Sequence, residues 1–214
     1  MIRDVYSNEL FTILLVLGLV IIALAKLTAP KRFEDFLYVL GNSKYLKIYS
    51  RDQKFFDKFD ALLFGNLILC LVVFSFILYQ KVIDFKTIDI NILFKFITGI
   101  GAFILIKVLT ERLIGSLFEI DKIIDEYLFQ KISYKNYLGL LLLPINAILL
   151  FSFQDSLNLV YVFVTILLIV NIIGLITSFK THQSLIKNNL FYFILYLCAL
   201  EIAPYVILYK VFIS

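Results

Sequence analysis

The chain predicts an all-α fold: a polytopic transmembrane helical bundle of six spans, accompanied by interfacial amphipathic helices. Three observations predict it. First, 62% of the 214 residues are hydrophobic, 17% are charged and the mean hydropathy is +0.96, whereas a soluble domain holds about 45–50% apolar residues. Second, the apolar residues gather into runs near the ~20 residues that a helix needs to cross the hydrocarbon layer. Third, Lys and Arg concentrate in every other connection between those runs, the asymmetry that orients membrane proteins. No separate soluble domain stands out, so residues 1–214 are expected to form one integral membrane domain.

The first span covers about residues 10–27, with Ser7 or Asn8 as N-cap and Pro30 ending it. Ala23-Leu24-Ala25 resembles a signal cleavage site, but Arg3 is offset by Asp4 and Glu9 and the basic residues follow the apolar run. A retained span is therefore expected. The second span, 61–80, is the cleanest, and the third, 91–110, is interrupted by Lys95 and Lys107. The fourth, 136–153, is short and contains Pro144; the fifth, 157–179, is apolar apart from Asn171. The tight turn Gln154-Asp155-Ser156 makes these two an antiparallel hairpin. The sixth, 189–209, contains Glu201 and Pro204.

Orientation follows from the basic residues. Lys31, Arg32, Lys44, Lys47, Arg51, Lys54 and Lys58 lie between spans one and two, Arg112, Lys122, Lys131 and Lys135 between three and four, and Lys180 and Lys187 between five and six. The opposite side holds Arg3, Lys81, Lys86 and Lys210. Cytoplasmic odd-numbered loops and two periplasmic termini are the expectation, in a bacterial inner membrane.

Two cytoplasmic segments, 31–59 and 111–135, read as amphipathic. Phe33, Phe36, Leu37 and Leu40 recur at helical spacing before Gly41-Asn42 breaks the pattern. With Arg32, Lys44, Lys47, Arg51, Lys54, Phe55 and Phe56 they form a candidate interface for a partner or for anionic headgroups. In the second segment Leu113, Leu117, Ile120, Ile124 and Leu128 share a stripe, as if span three continued beyond the bilayer.

The candidate intramembrane polar residues are Glu201, Lys107 and Asn171. A carboxylate in mid-bilayer costs about 3 kcal/mol on insertion scales, so Glu201 is expected to face the bundle, with Lys107 as its partner. Pro204 and Pro144 are expected helix kinks, because proline removes a backbone donor and clashes with the preceding turn. Gly99 and Gly101 permit a close helix contact, and Asn66 and Asn146 read as interhelical hydrogen-bonding groups. Cys70 and Cys198 read as small buried hydrophobes, and His182 has no partner motif. Asp121 and Asp125, one turn apart, could hold a divalent cation on a diphosphate, but a second acidic motif is missing. The expectation is no catalytic residue, no metal and no cofactor.

Glu126-Tyr127, Phe129, Lys135-Asn136, Gly139 and Leu143-Pro144, within EYLFQKISYKNYLGLLLLP, together with RDQKFFDKFD from Arg51 to Asp60, carry a resemblance. The chain resembles a family of small polytopic inner-membrane proteins of Bacteroidota, classed as a domain of unknown function. A weaker likeness to Yip1-type membrane proteins rests on Gly115, the segment to Tyr137, and Pro144. The first resemblance implies an inner-membrane location, in bacteria that commonly glide and secrete through dedicated envelope machinery. The functional expectation is a non-enzymatic scaffold or accessory subunit of an envelope complex. It would have lipid and other envelope proteins, not nucleic acid, as partners. The alternative is a small transporter or lipid-handling protein that uses Glu201 and Lys107.

Overall fold

The computed structural model describes residues 9–41, 44–50, 57–83, 90–117, 121–152 and 157–181, and contains no strand among them. The described residues form seven helices in order: α1 Glu9–Thr28, α2 Pro30–Leu37, α3 Lys44–Tyr49, α4 Lys58–Ile83, α5 Ile90–Leu117, α6 Asp121–Phe151 and α7 Leu157–Thr181. The sixth expected span, with Glu201 and Pro204, lies outside the described residues.

The termini obey local chemistry. The Thr28 hydroxyl donates to the Ala25 carbonyl (2.9 Å), satisfying one of the acceptors that a helix end leaves open. Ala29 leaves helical geometry, and Pro30 then occupies the first turn of α2, where a missing N–H costs nothing. Pro144 sits inside α6, exposed, and the helix runs on past it to Phe151.

Neighbouring long helices alternate in direction. Phe11 near the start of α1 stacks on Phe76 near the end of α4 (5.2 Å), while Ala25 clusters with Phe59 and Leu63 at the other end. Phe96 early in α5 meets Phe76 and Tyr79 late in α4. Val160 of α7 packs with Leu149 and Leu150 of α6, and Gly174 lies against Tyr134. Helices α4 and α6 are therefore parallel, and they form the most extensive helix pair of the bundle. At their crossing a Cβ on Gly139 would lie 2.7 Å from the Leu67 Cα, so only glycine admits this approach. By contrast, the space around Gly99 is open, and a Cβ on Gly101 would touch only the Ile68 side chain at 3.8 Å. The tight contact expected in span three is found in span four instead.

The second segment folds differently from the expected continuous stripe. Helix α5 ends at Leu117, and Ile124 and Leu128 belong to α6, which begins at Asp121, fifteen residues before the expected Asn136. A Cβ on Gly115 would come 2.9 Å from the Ile124 Cβ, so the two helices fold back on one another there. Ile124 and Leu128 are buried, whereas Leu113 and Leu117 are exposed.

Apolar side chains such as Val16 and Val20 on α1, Ile106 and Leu109 on α5, and Ile166 and Ile169 on α7 face outward. Among the described residues, four helices are long and apolar enough to cross a membrane: Glu9–Thr28, Lys58–Gln80, Leu93–Leu117 and Ile124–Phe151. Helix α7 holds a shorter apolar stretch, Asn158–Gly174.

Candidate functional site

Two polar arrangements occupy the end of the bundle where α1 and α5 finish and α4 and α6 begin. The first is a collar made by α2 and α3. Phe33 and Phe36 of α2, and Tyr45 and Leu46 of α3, turn inward onto Phe59 of α4 and Phe129 of α6. Phe36 meets Tyr45, Phe59 and Tyr137 edge-on at 5.5–6.0 Å, and Tyr45 stacks on Phe129 at 5.7 Å. Such aromatic pairs add about 0.5–1.5 kcal/mol each beyond area burial.

Arg32 fastens this collar to α4. Its two terminal nitrogens donate to different carboxylates, Nη1 to Asp57 and Nη2 to Asp60 (2.7 Å). The guanidinium also lies 4.8 Å from the Phe59 ring centroid and 5.1 Å from that of Tyr49. A planar, permanently charged fork with weak hydration suits this mixture of acids and ring faces. Burial works against the charge, but Tyr45, Asp60 and Asp57 outweigh it and hold the Arg32 pKa above its ordinary value. The Tyr45 hydroxyl lies beside Arg32 and Ser133 without a well-aligned hydrogen bond to either. Burial, reinforced by Asp60, pushes its phenol upward. The Tyr49 hydroxyl donates to Asp35 (3.2 Å), and partial burial with that carboxylate raises its pKa as well.

The second arrangement is an ion pair between α5 and α6. Lys131 Nζ donates to Glu111 Oε1 at 2.5 Å; the carboxylate side chain is 0% exposed and the lysine 9%. Lys107, one turn earlier on α5, is also buried, and Lys131 lies 5.6 Å from the Tyr127 ring centroid. Arg112 and Asp125 face each other at 3.7 Å on the outer side of the same hairpin. A buried charge whose partner is removed is strongly destabilising, so the pair acts as a tie between the two helices.

Deeper in the bundle the parallel helices share a polar seam. Asn146 donates from Nδ2 to the Cys70 carbonyl (2.9 Å), and the Cys70 thiol approaches Asn66 Oδ1 at 3.6 Å. Asn146 thus makes the interhelical hydrogen bond expected of it, whereas buried Asn66 meets Cys70 on its own helix, and Cys70 is a free, buried thiol. Ser133 and Asn136 continue the seam along α6, both buried.

The placement of the expected site residues is mixed. Lys107 is interior, but its neighbourhood includes Glu111, while Glu201 and Pro204 lie outside the described residues. Asn171 is exposed on α7 among the described residues. Arg32, Phe33 and Phe36 point into the fold because their hydrophobic stripe finds partners in the same chain, whereas Lys44 and Lys47 face outward. Arg51, Lys54, Phe55 and Phe56, like Cys198 and His182, fall outside the described residues. Glu111 and Lys131 were not singled out by sequence; the signal was a carboxylate one turn after Lys107 with a lysine on the facing helix.

Alternating helices among the described residues, four of them long and apolar enough to cross a membrane, have the make-up of a helical membrane protein. Residues 11–212 match the family described as Domain of unknown function (DUF4271), and the chain belongs to that family. No curated protein and no solved structure matches it.

Proposed function

We propose that the protein is a non-enzymatic scaffold or accessory subunit of a multi-protein complex in a bacterial inner membrane, with its termini in the periplasm. One observation carries this reading. The Glu111–Lys131 tie fixes the end of α5 against α6, so Leu113 and Leu117 project from a braced hairpin at the basic end of the bundle. Braced, exposed leucines beside charged residues have the composition of a small protein-docking face. The resemblance to small inner-membrane proteins of Bacteroidota, bacteria that commonly glide and secrete through dedicated envelope machinery, suggests that machinery as the setting. A photo-crosslinker at Leu117, followed by purification of the full chain in mild detergent, tests the reading. A specific crosslinked protein is expected; a clean monomer with no adduct overturns it.

A second reading, a small transporter, is favoured by the burial of Lys107, Glu111 and Lys131 together, because ionisable clusters inside membranes commonly mark pathways. It predicts that Glu111→Gln in reconstituted vesicles abolishes a proton or ion flux that the wild-type protein supports. Equal flux from folded wild-type and variant protein removes it.

A further inference from the structure

We propose that the outer side of the α2–α3 collar is a binding surface for anionic phospholipid headgroups, independent of any protein partner at the α5–α6 hairpin. The collar is at headgroup level by construction: Ala29 alone separates α2 from the end of α1, and Arg32 ties α2 to the first turn of α4. Its inner side is closed by aromatic packing, so what remains is the side bearing Lys31, Lys47, Leu37, Tyr38 and Ile48, all exposed. Lys26 and Lys58, also exposed, flank it on the adjoining helix ends.

The charge of this surface is set by what lies beneath it. Asp57 and Asp60 accept from Arg32, whose side chain is 12% exposed, and Asp35 accepts from Tyr49 and lies near Lys44, so all three carboxylates already have partners within this chain. Glu34 is the exposed acid of α2, set against five exposed lysines among the described residues at this end, Lys26, Lys31, Lys44, Lys47 and Lys58. Cations on flexible stems above apolar side chains match a phosphate layer over acyl chains: the stems lie along the hydrocarbon and the ammonium groups reach the phosphates. A soluble acidic protein would satisfy the lysines but not the neighbouring Leu37, Tyr38 and Ile48 at membrane depth.

The test uses the purified full chain offered equal phosphatidylglycerol and phosphatidylcholine, with retained lipid counted by native mass spectrometry. Preferential retention of phosphatidylglycerol is expected, falling at least about tenfold in the triple variant K31Q/K47Q/K58Q. The charge-keeping variant K31R/K47R/K58R is expected to retain it, as is Lys95→Gln at the opposite end of α5. Should the glutamine triple fail to fold, the wild-type preference is still expected to collapse as salt rises. Equal retention of both lipids, loss in the Lys95 variant as large as in the glutamine triple, or a crosslink from Tyr38 to protein instead of lipid overturns the proposal.

Discussion

Glu111 and Lys131 meet at 2.5 Å between α5 and α6, with the carboxylate wholly buried and its second oxygen, Oε2, without a hydrogen-bond partner among the described residues. One strong contact thus holds a charge in a setting that only half satisfies it. Replacing Lys131 by Met should remove the closest countercharge of Glu111, leaving Lys107 one turn away, and destabilise the fold by about 3–5 kcal/mol. The double variant Glu111→Gln with Lys131→Met should recover much of the loss. Thermal unfolding of the detergent-solubilised protein reads both; equal loss in single and double variants would contradict the pairing.

Gly139 gives a steric prediction. With its Cβ position 2.7 Å from the Leu67 Cα, Gly139→Ala must separate two parallel helices, at a cost of about 1–3 kcal/mol. Gly99→Ala, in open space, should leave the melting temperature unchanged or slightly raised. A melting comparison of the two variants is decisive, because their chemistry is the same.

Arg32 should not tolerate lysine. Lys cannot reach two carboxylates in a plane while lying against Phe59 and Tyr49, so Arg32→Lys should loosen the collar. Arg32→Ala should cost about 1.5–3 kcal/mol. Limited proteolysis within residues 30–57 is the direct readout: faster cutting is expected in both variants, and an unchanged pattern would refute the clamp.

Tyr45 provides a test in alkali. Burial raises its phenol above the ordinary 10.0, so the folded protein keeps a proton that the unfolded chain releases. The associated stability is complete below pH 10.0 and declines as pH rises beyond it toward the folded value. In absorbance titrations the wild-type minus Tyr45→Phe difference should stay flat through pH 10 and appear only at higher pH or on unfolding.

Legibility in the sequence followed physical range. Hydropathy located α1, α4 and α7 to within three residues and the start of α5 to within one, because lipid imposes length and polarity on each helix separately, whereas α5 runs seven residues past the expected end. The start of α6 was hidden because the stripe through Ile124 and Leu128 reads equally well as span three continuing beyond the bilayer, whereas Asp121 onward is a new helix folded back on α5. Lys131 was counted as an orienting loop charge; its contact with Glu111 joins two helices, and no one-dimensional pattern encodes it. Phe33 and Phe36 displayed an amphipathic stripe whose existence was readable, but the identity of what it covers was not. The stripe met aromatic residues of this same chain, Phe59, Phe129 and Tyr137, instead of lipid or a partner.

The parallel pairing of α4 with α6 has a consequence for biosynthesis. Helix α4 emerges from the ribosome with Asn66 already on it, a full helix ahead of the surface that will enclose that amide, so consecutive hairpin insertion cannot complete its packing. Until α6 follows, Leu67 and Asn66 must wait against α1, α5 or an insertase. Nascent chains truncated before Gly139 should therefore be the forms that a membrane quality-control protease removes.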